Sequence, residues 1–282
     1  MEYKDYNLLK IRVDKGVLFA TIDNPPINLL NNELYGEFGK LAVEVSRDDN
    51  VKVIIFDSAD PDYFICHYDV KLLLQYPSEA PPKPTQLHGG HQLQEAYRTM
   101  PKISIAKIEG RVRGGGSEFV LSLDMRFGAI GKAILSQLEI PLGIIPGGGG
   151  TQRLPRLVGR SRAMEIVVGG SDYPAELAER YGYINRALPP EEITPFVEEL
   201  AYRIASYPAE TIATAKKAVL LALEKPVVEG LIEETHLFNL TCCSPEAKER
   251  MSLFLEIGGQ TREAELEVSK WVNKLNENLE KK

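Results

Sequence analysis

The sequence predicts an α/β core over residues 1–206 and a helical region over 207–282. Three observations carry that expectation. A strand, an amphipathic helix and a second, apolar strand follow one another before residue 60, the order of a layered α/β arrangement. Further strand signals recur into the 130s, next to loops rich in glycine or proline. From Pro208 onward they cease and only helical periodicity is left.

In chain order, Asn7 to Val13 and Val17 to Ile22 read as a hairpin closed at Asp14-Lys15-Gly16. After the double proline of NPPINLLN, Asn31 or Asn32 can cap a helix to about Arg47, with Leu34, Phe38, Leu41 and Val45 on one stripe. Val51 to Phe56 is a buried strand. Residues 77–91, PSEAPPKPTQLHGGH, form a long loop before a helix from about Gln92 to Arg98. Ile103 to Ile108 is a strand that feeds into Gly114-Gly115-Gly116-Ser117-Glu118. Met125 to Ile130 is another, and a short apolar segment at Ile134 and Leu135 precedes Glu139. A second glycine run, 147–150, precedes a helix near Thr151, and helices follow at 161–168, 174–181 and 191–206. The remaining chain is helical with breaks at Pro226, near Pro245 and at Gly258-Gly259.

Composition bounds the function. With 282 residues and 44% hydrophobic content the chain can bury a sizeable core. The net charge of −7, from 40 acidic and 33 basic residues, gives no global attraction for nucleic acid. An anionic ligand therefore needs a local cationic patch or amides aimed at it. Cys66, Cys242 and Cys243 are odd in number and two are adjacent, so free thiols in a reducing compartment are expected. The start, MEYKDYNLLKI, has neither a signal-peptide pattern nor an Arg-rich transit pattern, and no run nears 18 uncharged apolar residues. A cytoplasmic protein with no membrane or nucleic-acid partner is the expectation. The four histidines, His67, His88, His91 and His236, show no metal-binding spacing, and no metal is expected.

Four features can carry chemistry. The glycine triplet 114–116 between a strand and a helix is either a structural turn or a place where free amides meet an anion or a developing oxyanion. Glu118, followed by Phe119-Val120-Leu121, is either a first-turn acid complementing the helix dipole or an acid-base group in a poorly hydrated cleft. Glu139, between Leu138 and Ile140, is costly to bury unless paired or functional. Its bland reading is a salt bridge to Arg153, Arg156 or Arg160. The loop Cys66-His67-Tyr68-Asp69 follows the apolar strand 51–56, where loops line ligand sites in α/β folds, and His67 there could be a base or merely structural.

The segments FICHYDVK at 64–71, IEGRVRGGGSEFVLSLDMRF at 108–127 and QLEIPLGIIPGGGGTQRLPRLVGRSRAMEIVVGG at 137–170, with NPPINLLN before them and SPEAKERMSLFLEIGGQ after them, resemble the crotonase family, the enoyl-CoA hydratase/isomerase superfamily. The resemblance covers nearly the whole chain. It implies an α/β fold, a crotonase-like spiral of ββα units with a C-terminal helical trimerisation region, assembled as a homotrimer or hexamer. It implies an acyl-CoA thioester substrate, with coenzyme A part of the substrate and no separate cofactor. Carried over residue by residue, Gly115 and Tyr68 donate the two amides that stabilise a thioester enolate, and Glu118 and Glu139 hold the water added to a 2-enoyl-CoA. Cys66, His67 and Gly114 lie against the substrate, and Lys71 approaches the nucleotide end. The chain departs from the family pattern at His67-Tyr68, where glycine and a small residue are usual, at Leu138, where proline is usual, and in the Pro-rich segment 77–91. Hydration is the reaction these residues imply. Isomerisation, thioester hydrolysis, decarboxylation, or CoA-thioester binding with little turnover are its alternatives. An RNA-binding role finds no basic stripe on the helix 33–47, where Lys40 and Arg47 stand against Glu33, Glu37 and Glu44.

Overall fold

A computed structural model describes residues 2–280. β1 (Leu9–Asp14) and β2 (Val17–Ile22) form an antiparallel hairpin. Lys15 and Gly16 take positive φ values of 45° and 80° in its turn, a two-residue closure whose twist suits the strands it joins. α1 (Asn32–Ser46) starts at Asn31, whose side chain accepts from the Leu34 amide at 2.9 Å. Leu34, Phe38, Leu41 and Val45 of the expected stripe are all buried.

Three pairs of strands then follow: β3 (Val53–Ser58) with β4 (Tyr63–Ile65), β5 (Ile103–Ile108) with β6 (Arg111–Arg113), and β7 (Met125–Ala129) with β8 (Ile134–Ser136). The first strand of each pair enters a six-stranded sheet of order β1-β2-β3-β5-β7-β10, the last being Arg186–Leu188. The second enters a four-stranded sheet of order β4-β6-β8-β9, with β9 at Tyr173–Pro174. Each turn of the chain thus contributes one strand to each sheet, which is a spiral of ββα units. β4, β6 and β8 run parallel, with β6 between the other two. Sequence periodicity misses β4 and β6 because three residues are too few to show alternation.

Helices close the turns: α2 (Val70–Leu73) and α3 (Gly89–Thr99) after β4, α4 (Gly115–Leu121) after β6, and a 3₁₀ turn (Ile140–Leu142) with α5 (Gly150–Val158) after β8. α3 begins three residues before the expected Gln92. The His88 ring accepts from the amides of Gly90 and His91 and caps the helix through its glycine pair. Phe119 of α4 stacks on Phe38 at 4.4 Å and meets Phe56 and Tyr97 edge-on. Such ring packing holds α4 against rolling and so fixes the direction of Glu118.

α6 (Arg160–Gly169), α7 (Ala175–Tyr181) and α8 (Pro190–Ala205) come next, and the chain divides into two compact units between Tyr202 and Arg203. The second unit holds α9 (Ala209–Leu221), α10 (Val227–Cys242), α11 (Pro245–Glu256), α12 (Arg262–Leu266) and α13 (Val268–Glu280). α10 leaves Val227, Val228, Leu231, Ile232, Phe238 and Leu240 exposed in the single chain.

Candidate active site

The site residues leave the carboxyl ends of three adjacent parallel strands. Cys66, His67 and Tyr68 follow β4, Gly114 to Glu118 follow β6, and Gln137 to Glu139 follow β8. Strand pairing therefore does what the linear separation of 118 and 139 hides: it sets the two glutamates at neighbouring exits, the usual place for a ligand in a parallel sheet.

Backbone geometry aims one amide. His67 C=O accepts from Leu30 N–H at 2.9 Å, and Leu30 C=O accepts from Asp69 N–H at 3.1 Å. The 67–68 peptide is trans, so with its carbonyl turned to Leu30 the Tyr68 N–H points the opposite way. Gly115 is the first residue of α4, where amides have no intrahelical acceptor. Neither amide has a hydrogen-bond partner among the described residues. They are neighbours: a Cβ built on Gly115 falls 3.6 Å from Tyr68 N and 3.1 Å from Tyr68 Cβ. Glycine at 115 thus keeps the space between them clear. At 116 a Cβ would meet Ile65 Cγ2 at 2.6 Å, so the middle glycine of the triplet is a packing requirement.

The two carboxylates are buried, Glu118 at 4% and Glu139 at 8% exposure. Glu118 Oε1 accepts from the amides of Gly148 and Gly150, both at 2.8 Å. The second glycine run is therefore a donor set for the first glutamate, and Gly150 presents it at the N-terminus of α5. Burial raises the Glu118 pKa, while the Gly150 and Gly148 amides, Arg153 and His88 work against the rise. Glu139 is pushed up to about 7, first by burial and then by repulsion from Glu118, with His67 among the opposing groups. Its Oε2 is buried without a hydrogen-bond partner among the described residues. Two carboxyls that repel each other in a poorly hydrated place favour one proton between them. A base, an acid and a pair of amides is the equipment for adding or shifting a proton next to a polarised carbonyl.

Several supporting residues are not legible in the sequence. Arg153 does not reach Glu139; its Nη1 donates to Gln94 Oε1 at 2.8 Å and to Gly148 C=O at 3.3 Å, and its Nη2 pairs with Glu95 at 2.8 Å. It ties α3 to the turn that grips Glu118. Behind the site, Gln137 Nε2 donates to Ser117 Oγ and to the Tyr183 hydroxyl. Tyr35, whose ring meets Tyr68 edge-on at 5.9 Å, has its pKa raised by burial and by Glu118. Spacing could have hinted only at Arg153, three residues into a helix begun by glycines. Gly114, at φ 47°, packs between Glu139 and His67: a Cβ there would lie 3.0 Å from Glu139 Oε1 and 3.6 Å from His67 Cβ. Cys66 is buried and adjoins His67, whose pKa is raised chiefly by the Cys66 thiol. Lys71 is exposed on α2, one turn from Tyr68. His88 and His91 stack on each other at 3.8 Å, and no group of three or more metal-binding side chains is assembled among the described residues.

Known proteins agree with this architecture. A family model described as enoyl-CoA hydratase/isomerase matches residues 12–262. A Dictyostelium discoideum protein named "Probable enoyl-CoA hydratase, mitochondrial" is 33% identical over 238 residues, 84% of each chain. A "Crotonyl-CoA hydratase" of Syntrophomonas wolfei is 30% identical over 252 residues, 89% of this chain and 96% of its own. The crystal structure of an enoyl-CoA hydratase from Bacillus anthracis superposes with a TM-score of 0.81 at 27% identity, covering 89% of this chain and 96% of that one.

Proposed function

The chain belongs to the enoyl-CoA hydratase/isomerase family and is an enzyme of that type acting on CoA thioesters; from that premise we propose that it adds water to a 2-enoyl-CoA. The observation that carries this reading is the pair of buried, mutually repelling carboxylates beside two unpartnered amides. In the proposed reaction the thioester oxygen accepts from the Gly115 and Tyr68 amides, which makes Cβ electrophilic. Glu118, whose ionised form the two amides favour against the effect of burial, takes a proton as water oxygen bonds to Cβ. Electrons pass to the thioester oxygen as an enolate, and protonated Glu139 then donates to Cα. Exchange with solvent resets both carboxyls. Lys71, exposed beside the site, would meet the charged nucleotide end of CoA.

The test is Glu118→Gln and Glu139→Gln on crotonyl-CoA, with products weighed by mass spectrometry. Each change should cost on the order of 10²-fold or more in turnover, with much smaller effects on thioester binding. The double variant should lose little more than either alone, since both groups serve one transition state. Unchanged hydration in both variants would remove the assignment. Free CoA, loss of carboxylate, or a shifted double bond with no added water would identify hydrolysis, decarboxylation or isomerisation instead.

We also propose a homotrimer, or a hexamer made of two trimers, in the cytoplasm. The apolar side chains exposed on α10, with Val219 and Leu223 just before it, support association through the second unit.

A further inference from the structure

The loop that carries the Tyr68 amide bears an imidazole where the resembled family usually has glycine. His67 Nδ1 is bonded to the Tyr68 carbonyl at 2.8 Å. A carbonyl only accepts, so Nδ1 carries the proton and donates in both charge states of the ring. The 68–69 peptide is therefore gripped at both ends, its N–H by Leu30 C=O and its C=O by the His67 ring. With the preceding peptide anchored on Leu30 as well, the Tyr68 amide is framed by fixed planes on both sides. The His67 Cβ and Glu139 Oε1 both flank Gly114, 3.6 and 3.0 Å from where a Cβ on that glycine would lie.

We infer that His67 is a positioning residue of the thioester site: its Nδ1–H clamps the peptide that follows the Tyr68 amide, from a side chain that shares Gly114 with Glu139. This rests on the reading of Tyr68 N–H as a donor to the thioester oxygen. The charged and titratable groups around the pair are few. His67 is faced by Cys66 of its own loop, by Arg113 of β6, itself paired with Asp172, and by Glu139 after β8. Glu139 is faced by Glu118 of α4 and by His67, with Tyr183 behind both carboxyls. When its ring is protonated, His67 favours the ionised form of Glu139.

Acetoacetyl-CoA is the probe. Its enolate absorbs in the near ultraviolet, so the bound enolate fraction reports the grip of the two amides without turnover. His67→Phe keeps a ring and removes the donor. The enolate fraction should fall about tenfold, the size of one net hydrogen bond, while total affinity by calorimetry changes less than about threefold. His67→Asn, which can still donate to the Tyr68 carbonyl, should return the enolate fraction to within about threefold of the wild type. In crotonyl-CoA hydration, the alkaline limb of kcat/KM should move to higher pH in both variants, because both lack the cation. A wild-type enolate fraction in His67→Phe, or an asparagine variant as poor as the phenylalanine one, would overturn the clamp. Should His67→Phe fail to fold, His67→Gly must show the same enolate loss, and wild-type behaviour there is equally fatal. A wild type that stabilises enolate but hydrates nothing would refute the reaction proposed above and leave this inference standing.

Discussion

Replacing Gly148 by alanine should disable the enzyme through a single methyl group. A Cβ on Gly148 falls 2.4 Å from Glu118 Oε2 and 2.9 Å from its carboxyl carbon. Ordinary contact needs roughly 3.4 Å, so the carboxylate must retreat by about 1 Å, an overpacking strain. Retreat is resisted, because Glu118 is 4% exposed and its Oε1 is bound to Gly148 N and Gly150 N at 2.8 Å each. Hydrogen bonds to a charged group are worth about 1.5–3 kcal/mol. Losing one, or stretching both, corresponds to a loss of ~10–100-fold in rate at 1.4 kcal/mol per factor of ten. A displacement of about 1 Å at a reacting group has the same scale. KM should change little, since Gly115 and Tyr68 are untouched. The assay is crotonyl-CoA hydration measured by loss of the conjugated thioester absorbance, with a thermal melt to show that the fold survives. Gly147→Ala is the matched control: its Cβ would meet only Ile145 C=O at 3.9 Å, so about wild-type turnover is expected. Turnover in Gly148→Ala within about threefold of the wild type would refute the clash as a catalytic lesion, and so would equal damage in the control.

Other outcomes rest on the same geometry. Glu139, raised from 4.5 to about 7, binds more protons folded than unfolded, so its contribution to stability is full below its unfolded pKa and is lost as pH rises through about 7. Chemical denaturation between pH 4 and 8 should therefore show Glu139→Gln gaining on the wild type as pH rises, and wild-type kcat/KM should fall on the alkaline side as the acid is lost. Arg153→Ala should release Gly148 C=O, Gln94 and Glu95 together and lower kcat by about tenfold or more, with a stability loss of about 1–3 kcal/mol in urea titrations. Gly116→Ala drives a Cβ to within 2.8 Å of Ile65 C=O, an immovable neighbour, and should cost stability of about 1–3 kcal/mol or prevent folding, read from the melt or the soluble yield. Solution mass should be a multiple of three chains, and a monomer at all concentrations would contradict the proposed assembly.

Legibility in the sequence tracks element length and chemistry. β5 is evident because Ile103, Ile105, Ala106 and Ile108 make its six residues mostly apolar, and α1 because Asn31 and a full stripe agree. β4 and β6 stay hidden, since Tyr63–Ile65 and Arg111–Arg113 are three residues each and two of the latter are charged. Yet those strands, paired with β8, are what convert residues 67, 115, 118 and 139 from separate candidates into one site. Glu118 and Glu139 stand out as acids among aliphatics, but their mutual repulsion depends on a strand pairing that local pattern does not encode. His88 hides for the opposite reason. Its glycine pair argues against a helix start that its own ring makes possible. Arg153 invites pairing with the wrong glutamate because its partners on α3 lie 58 and 59 positions away.

The three parallel exits of β4, β6 and β8 also bear on how such a protein can change. In the proposed reaction each turn of the spiral delivers its own part of the centre: one loop an amide, the next an amide and a base, the third an acid. The strands are held by backbone pairing that is indifferent to the side chains of the loops beyond them. A lineage can therefore rewrite one loop while the other two keep their aim. His67-Tyr68 in the first loop, beside the glycine runs that serve Glu118, has the form of such a single-slot revision, and new specificities should arise one exit at a time.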